Sequence, residues 1–301
     1  MKSGIGYSVL DIGAPRQRPR PNTNTQYPIS AASLSQTLAP SPSRPLASTP
    51  LRILSLHRRV CNLISEQGDV VALVHPTVGN GPFHIVLARP ASFAGLKVGG
   101  RVQWRGDSLA FGRFSVDLAG ARAWNPALPQ THTPITADAW NALRAADLSG
   151  FANLTGLTAE RALQGAEYLL AGLRAGRESD IARGTELLAG LGPGLTPAGD
   201  DFLLGFMARI WLEPALLPAA WTAPDLCQHI AQTAAPRTTR LSRAWLIHAA
   251  RGHFAEPWHD LVTALAANDK SAILHAGARI LRIGATSGRD AMTGFLTAGI
   301  G

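Results

Sequence analysis

The sequence predicts an α+β fold in which a small β-barrel or sandwich-like unit precedes a helical domain. Between about 51 and 126, apolar and polar residues alternate in short runs, which is the period of half-buried strands. From 135 to 301, apolar residues recur every three or four positions, which is the period of amphipathic helices. Hydrophobic residues make up 46% of the 301 positions and charged residues 16%, so the chain has enough apolar material for a sizeable core.

The segment 1–50 is predicted to be a disordered Pro/Ser/Arg-rich extension. It holds eight of the 21 prolines and shows neither a helical nor a strand period. A segment with so few apolar anchors cannot offset the entropy lost on ordering. A targeting or partner-binding arm is the functional alternative.

The segment 51–134 is predicted to be the β-rich domain. Val70–Val74 is typical of a buried strand, and Val102 and Trp104 alternate with polar neighbours. Glycine-rich turns at 79–82 and 99–100 separate such runs. Several short strands at this spacing favour a small barrel or sandwich.

The segment 135–301 is predicted to be the helical domain. A helix over 158–174 has an apolar stripe, and the stretch 202–212 is apolar on nearly every face. Because an all-round apolar helix must be buried, we expect 202–212 to lie at the centre of the domain. The stripe on the earlier helix consists of Leu163, Ala166, Leu170 and Leu173.

The composition argues against several classes of protein. The formal net charge of +8 is concentrated in the first 126 residues, and the remaining 175 carry fourteen basic and fifteen acidic side chains. Few aromatic residues accompany the basic ones, so nucleic-acid binding is not expected. No apolar run is long enough to cross a membrane. Two cysteines, Cys61 and Cys227, exclude a disulfide scaffold and a four-cysteine zinc site. We therefore expect a soluble cytoplasmic protein.

The stretch 190–201, GLGPGLTPAGDD, is the most informative segment of the chain. Three glycines and a proline within five residues predict a rigid loop that a ligand can approach closely. Thr196 and Pro197 then predict a helix start, with the hydroxyl at the N-cap and the proline at the first helical position. Free N–H groups and a positive dipole end at such a start favour an anion.

Asp200 and Asp201 fall in the first turn of this predicted helix. Two carboxylates suit a magnesium-bridged phosphate or a carbamoyl amide better than a bare phosphate. Magnesium is therefore a candidate cofactor, although no residue is assigned as a metal ligand. The alternative is that both aspartates only stabilise the helix N-terminus.

The pattern Gly-x-Asp-x-x-x-Gly-Phe occurs twice, at 199–206 and at 288–295. In each copy the second glycine lies on the same helix face as the first-turn residues and permits close packing. Two such helix starts, near Thr196 and Ser287, are predicted to face one another across one anion-binding cleft. Chance or a shared packing requirement is the alternative, because few positions match.

A third cluster, 237–243, has the sequence RTTRLSR and opens a helix after Pro236. Hydroxyl and guanidinium groups at a helix start commonly hold carboxylate or phosphate. The alternative is helix capping combined with exposed charge.

Histidines do not predict a metal centre. His248, His253 and His259 flank Glu256 at spacings that do not place metal ligands on one helix face. The sequence also lacks a Gly-x-Ser-x-Gly elbow, a Walker lysine motif and a Rossmann glycine fingerprint.

Together the three clusters give two sets of candidate site residues. The catalytic candidates are Asp200, Asp201 and Asp290. The substrate- or anion-binding candidates are Gly192, Gly194, Thr196, Gly199, Arg237, Thr238, Thr239, Arg240, Ser242, Ser287 and Gly288.

At these clusters the sequence resembles a bacterial family that was long described only as being of unknown function. The family pattern reads Gly-Leu-Gly-x-Gly-Leu-Thr-Pro-x-Gly-Asp-Asp, then Thr-Thr-x-x-Ser, then Ser-Gly-x-Asp. This chain carries the three parts at 190–201, 238–242 and 287–290. The resemblance covers roughly 51–301, and its best understood members are AllH-type subunits of oxamate carbamoyltransferase.

The resemblance implies carbamoyl transfer between carbamoyl phosphate and oxamate, giving oxalurate, in the breakdown of allantoin. It also implies a hetero-oligomer with two other carbamoyltransferase subunits. A noncatalytic anion-binding or scaffolding subunit of a metabolic complex is the alternative. Carbamoyl transfer requires donors that hold the phosphate leaving group and polarise the carbonyl, which the predicted helix starts would supply.

Overall fold

The computed structural model describes residues 29–38, 50–111, 114–131, 133–144, 151 and 153–299. Within these residues a β-barrel unit comes first and a helical unit follows, as the sequence predicts. The expected boundary near residue 134 falls between the last strand and the first α-helix. The chain is therefore α+β with its strands and helices segregated.

Nine strands form the N-terminal unit. They are β1 (Ile29–Ser35), β2 (Leu51–Leu56), β3 (Val60–Ser65), β4 (Val70–Val74), β5 (His84–Leu87), β6 (Arg101–Arg105), β7 (Ser108–Phe111), β8 (Phe114–Asp117) and β9 (Arg122–Trp124).

The sheet closes on itself through β1. Its order is β5-β4-β3-β2-β6-β7-β8-β1, and β1 also pairs antiparallel with β5, so eight strands form a closed ring. Strand β9 pairs in parallel with the C-terminal half of β1 and lies outside the ring. Closure leaves no long unpaired strand edge in the ring, which removes the usual site of edge-to-edge aggregation.

Strand β1 corrects the prediction that all of 1–50 is a disordered extension. Its inward side chains are Ala31, Ser33 and Ser35, and all three are buried. The two serine hydroxyls are satisfied, because Ser33 donates to Asn80 Oδ1 at 2.6 Å and Ser35 donates to the Pro82 carbonyl at 2.7 Å. The sequence did not predict this strand, because its inward residues are small or polar and give no alternation of large apolar and polar side chains. The rest of that prediction, for 1–28 and 39–49, lies outside the described residues.

Nine α-helices form the C-terminal unit of the described chain. They are α1 (Ala137–Arg144), α2 (Leu157–Ala175), α3 (Glu178–Leu188), α4 (Ala198–Leu212), α5 (Ala223–Ala234), α6 (Arg240–Ala249), α7 (Glu256–Ala266), α8 (Lys270–Leu281) and α9 (Ser287–Thr297).

Helix α4 is the central helix, as its apolar sequence predicts. Thirteen of its fifteen residues are buried, and it packs along α9. The predicted stripe on α2 is only partly right, because Leu163 is 60% exposed and Gly165 and Gly172 are buried against α3. Close helix packing there selects glycine, which a search for large apolar residues overlooks.

Several contacts join the barrel unit to the helices. Leu241 and Trp245 of α6 pack on the barrel core, with the ring centroids of Trp245 and Phe83 4.5 Å apart. Asn80 and Glu256 exchange hydrogen bonds: the backbone and side-chain amides of Asn80 donate to Glu256 Oε2, and the Glu256 backbone amide donates to the Asn80 carbonyl. The Trp124 ring of β9 packs against His259 of α7, with ring centroids 5.0 Å apart. Helix α6 therefore touches the barrel with one face, while its first turn reaches the predicted site.

Across the described part of the chain, no helix combines the length and hydropathy that a membrane crossing requires.

Candidate functional site

The glycine-rich loop turns sharply between α3 and α4. Gly190, Gly192 and Gly194 have φ values of 68°, 112° and 103°, a left-handed region that glycine adopts without strain. Helix α4 begins at Ala198, and its N-cap residue Pro197 has no side-chain cap. The prediction that Thr196 caps this helix is therefore wrong, and its hydroxyl is used elsewhere.

The first turn of α6 lies directly against this loop. Thr238 Oγ1 donates a short hydrogen bond to Asp200 Oδ2, and the Gly190 amide donates to Asp200 Oδ1 at 2.9 Å. Thr239 Oγ1 donates to the Leu195 carbonyl at 2.5 Å and accepts the Ser242 amide, as a helix N-cap does. Asp200 thus joins the loop to α6.

The first turn of α9 lies against the first turn of α4. The hydroxyls of Thr196 and Ser287 are 2.9 Å apart and share a hydrogen bond. Asp201 and Asp290 are close enough for the charge of Asp290 to raise the pKa of Asp201. The structure therefore brings the two predicted helix starts together, as the repeat suggests.

Glycines of the repeat explain why α4 and α9 approach so closely. A Cβ on Gly205 would lie 1.6 Å from the Ala291 carbonyl oxygen, and one on Gly294 would lie 1.9 Å from the Phe202 carbonyl oxygen. These two contacts are reciprocal, which indicates an approximate twofold relation between the helices. The shared packing requirement is thus present in both copies.

Gly199 and Gly288, the first glycines of the repeat, also serve packing. A Cβ on Gly199 would lie 2.0 Å from the Leu188 carbonyl oxygen at the end of α3, and one on Gly288 would lie 1.8 Å from the Ile280 carbonyl oxygen in α8. Their small size makes room for helix backbone, which corrects the expectation that it makes room for a ligand. Gly194 differs, because it is exposed and nothing lies within 4 Å of its Cβ position.

Burial raises the pKa of all three aspartates above the ordinary value of 3.8. For Asp200, hydrogen bonds from Thr238 and Gly190 oppose the effect of burial. For Asp290, the Phe151 amide donates to Oδ1 at 2.8 Å and opposes it. The pKa of Asp201 is raised most, because burial is reinforced by the charges of Asp290 and Asp200.

Asp201 has a further property that its two neighbours lack. It is 9% exposed, and its Oδ2 atom is buried without a hydrogen-bond partner among the described residues. The Ser287 and Thr196 hydroxyls lie close enough to the carboxyl to oppose the rise of its pKa. A buried acceptor left open beside two hydroxyls is costly in a folded protein, and such groups commonly mark functional sites.

Of the two predicted basic residues, Arg237 is paired with other groups of the chain and Arg240 is not. Arg237 donates to the Thr233 carbonyl and to Glu186 Oε1, so its charge is paired on the surface. Arg240 is exposed at the first position of α6 and has no hydrogen bond or ion pair among the described residues.

Two further predicted site residues, Gly192 and Ser242, lie inside the structure. A Cβ on Gly192 would be 3.1 Å from the Ala198 nitrogen. Burial raises the pKa of Asp200, and the buried Ser242 side chain opposes that rise.

Sequence reasoning missed two backbone donors, the Gly190 amide and the Phe151 amide, each of which holds one aspartate. Phe151 has a positive φ of 58° and lies far from the motifs along the chain. No pattern of residue types identifies it. Gly190 belonged to the family pattern, and its φ of 68° explains why glycine is present there.

Magnesium does not fit the observed donors well. Both carboxylate oxygens of Asp200 already accept hydrogen bonds. In the described residues no group of three His, Cys, Asp or Glu side chains is arranged to hold a metal ion. The three histidines do not assemble either: His248 and His253 have Nδ1 atoms 3.5 Å apart, whereas His259 bonds the Pro126 carbonyl.

Comparison with known families matches both units of the chain. The family model for oxamate carbamoyltransferase subunit AllH matches residues 188–299, which contain all three clusters. The model for the AllH family N-terminal domain matches residues 30–123, which run from the second residue of β1 to the second residue of β9. No solved structure matches the chain. The two matched segments together span most of the chain, and the protein belongs to the AllH family of oxamate carbamoyltransferase subunits.

Proposed function

We propose that this chain takes part in carbamoyl transfer between carbamoyl phosphate and oxamate, in a complex with two other carbamoyltransferase subunits. The observation that carries the proposal is the buried, open Oδ2 atom of Asp201, whose carboxyl lies near the paired Thr196 and Ser287 hydroxyls. Family membership supports the subunit role, and allantoin breakdown is the process that the resemblance implies.

The reaction requires a proton acceptor. The amide nitrogen of oxamate attacks the carbonyl carbon of carbamoyl phosphate, a C–N bond forms, and the C–O bond to phosphate breaks. One N–H proton must leave that nitrogen, which is a weak nucleophile while it keeps the proton. A carboxylate whose pKa is raised is a better general base than an ordinary one, so Asp201 suits this step.

Neighbouring groups are suited to bind the carbonyl and phosphate oxygens of the substrate. The Thr196 and Ser287 hydroxyls can donate to a carbonyl or phosphate oxygen once they exchange their mutual hydrogen bond for a ligand. Arg240 supplies a cation without a partner in the described residues, and Gly194 leaves the loop open for approach. Asp290 raises the basicity of Asp201 through its charge, and Asp200 positions the loop and α6.

The scaffolding alternative rests on a different observation. The first-turn amides of both helices are already bonded within the chain, since Gly199 donates to the Leu191 carbonyl and Gly288 donates to the Ile283 carbonyl. Helix starts whose N–H groups are occupied bind anions less readily. A subunit that only holds its partners in place would have this feature.

Turnover of Asp201→Asn in the complex distinguishes the two proposals. The chain is co-expressed with the other oxamate carbamoyltransferase subunits, and carbamoyl phosphate formation from oxalurate and phosphate is assayed. We expect a loss of about 10²–10⁴-fold, the usual contribution of a general base. Asp269→Asn is the matched control, because Asp269 caps α8 with its side chain and should leave turnover unchanged. Near-normal turnover of an assembled Asp201→Asn complex would favour the scaffold.

A further inference from the structure

We propose that the groove between α5 and α6 docks an acidic helical segment of a partner subunit. The inference rests on membership in a family of multi-subunit enzymes and on the groove itself, and it does not depend on Asp201 chemistry. It assigns the interaction surface to a face of the helical unit that the candidate site does not use.

The groove is formed by one face of each helix. On α5 its lining residues follow the helical spacing of three and four, and on α6 they do the same up to the turn after the helix. The cavity measures about 500 Å³. It is lined by Gln228, Ala231, Gln232, Ala235, Pro236, Arg243, Ile247, Ala250 and Arg251.

The floor of the groove is apolar and built mostly from small side chains. Ala231 is buried, while Ala235, Ile247 and Ala250 are half-buried and face the cavity. Small residues let a third helix approach two packed helices closely, because interhelical distance depends on the side chains at the contact. An amphipathic helix in such a groove is one of the common modes of protein recognition.

The rim of the groove is positively charged. Arg243 and Arg251 are exposed, and neither has a hydrogen bond or ion pair among the described residues. Burial lowers the pKa of His253, and the positive charge of Arg251 lowers it further. Two unpaired arginines beside exposed Gln228 and Gln232 favour a segment that carries carboxylates on either side of an apolar stripe.

The second face of α6 explains why this groove would matter for assembly. Thr238 and Ser242, at the start of the helix, contact Asp200, while Arg243 and Ile247 face the groove. A partner seated in the groove would therefore rest on the same helix that holds the glycine-rich loop. Docking there would place the partner near the candidate site without covering it.

Charge reversal tests the proposal in the complete complex. The full-length chain carrying Arg243→Glu and Arg251→Glu is co-expressed with the other oxamate carbamoyltransferase subunits, and assembly is measured by native mass spectrometry without substrate. We expect apparent affinity to fall at least about tenfold and wild-type assembly to weaken as salt is raised. The matched control is Arg101→Glu with Arg105→Glu, two exposed arginines of β6, which should assemble normally. Gln232→Trp fills the groove without changing charge and should also reduce assembly.

The outcomes separate this proposal from the catalytic one. Normal assembly of both groove variants overturns the docking surface, whatever the turnover of the complex. Groove variants that only disrupt self-association of this chain, seen with the chain alone, overturn the assignment to a partner subunit. A complex that assembles through the groove and transfers no carbamoyl group contradicts the proposed function alone.

Discussion

Asp201 combines burial with an open acceptor atom, and this combination opposes folding at neutral pH. Its pKa lies above 3.8 in the folded chain because of burial and the charges of Asp290 and Asp200. A carboxyl whose folded pKa is raised favours the folded state below its unfolded pKa, and that contribution is lost as pH rises through the folded pKa. The contribution of Asp201 to the free energy of unfolding should therefore decrease as pH rises above about 4.

Replacing Asp201 with asparagine should stabilise the protein at pH 7. The amide has no charge to desolvate, and its NH₂ group can donate to the hydroxyls of Thr196 and Ser287. We expect a gain of about 1–3 kcal/mol, the usual cost of a buried polar group without a partner. Chemical denaturation at pH 7 and pH 3.5 measures it, and the gain should shrink at the lower pH. A variant that is less stable at pH 7 would mean that the carboxylate is a structural partner.

Thr239 and Arg240 are adjacent in sequence, but we expect substitution of Thr239 to lower stability and substitution of Arg240 to weaken ligand binding. Thr239→Ala removes the N-cap of α6 and the bond to the Leu195 carbonyl, so we expect a loss of about 0.5–2 kcal/mol in unfolding free energy. Thr263→Ala is the control, because its exposed hydroxyl donates to the His259 carbonyl one turn back in the same helix, and its loss should cost little. Thermal denaturation of both variants checks the difference.

Arg240→Ala should show the opposite behaviour. The side chain is exposed and unpaired in the described structure, so the melting temperature should not change. Binding of inorganic phosphate to the assembled complex, measured by calorimetry, should weaken by about 1.5–3 kcal/mol if the arginine contacts the anion. Unchanged phosphate affinity would remove Arg240 from the site.

The sequence predicted carboxylates at 200, 201 and 290 near two helix starts that face one another, and the structure places those helix starts together. It did not predict which groups donate hydrogen bonds to these carboxylates. Backbone donors such as the Phe151 amide carry no residue-type signature. The hydroxyl of Thr196 was predicted to cap its own helix, whereas tertiary contact with Ser287 uses it instead.

At the scale of elements, the α4–α9 pair depends on two glycines. Gly205→Ala should destabilise the fold by about 1–3 kcal/mol or more, because the new methyl group meets the Ala291 carbonyl and the helices must separate. Gly277→Ala in α8 is the matched control: its Cβ would lie 3.3 Å from the flexible end of Leu143, and we expect a change within about 1 kcal/mol. Equal effects in urea denaturation would contradict close backbone contact.

The sequence predicted that the second glycines of the repeat, Gly205 and Gly294, permit close helix packing, and the structure shows this packing. It predicted ligand access for Gly199, however. Only the neighbouring backbone reveals the role of Gly199, because the Leu188 carbonyl oxygen fills the space beside it. By contrast, the burial of α4 followed directly from its apolar sequence.

At the scale of the whole molecule, β1 is required to close the barrel. A chain that starts at residue 51 loses the pairings of β1 with β5, β8 and β9. We expect such a chain to be insoluble or unfolded, whereas one that starts at residue 29 should keep the barrel and its cooperative melting. Circular dichroism and size-exclusion chromatography compare the two variants. A folded, monodisperse chain starting at 51 would show that β1 is dispensable.

The fold class was predictable from periodicity, and barrel closure was not. Alternation and helical spacing are local properties, so they divide the chain correctly into strands and helices. Closure depends on Ala31, Ser33 and Ser35, whose burial arises from pairing with strands that lie much later in the chain. Small and polar inward residues leave no hydrophobic signal, and proline-rich surroundings suggest disorder instead.

The parallel pairing of Ile29 with Val116 has a consequence for how the protein is made. At translation rates of about 5–20 residues per second, β1 leaves the ribosome several seconds before its last partner strand exists. Its alanine- and serine-rich sequence has little apolar surface to expose during this wait, so it is a weak seed for aggregation. The barrel closes only when the newest strand meets the oldest, which makes a nascent chain that stalls before β8 an open sheet with two unpaired edges.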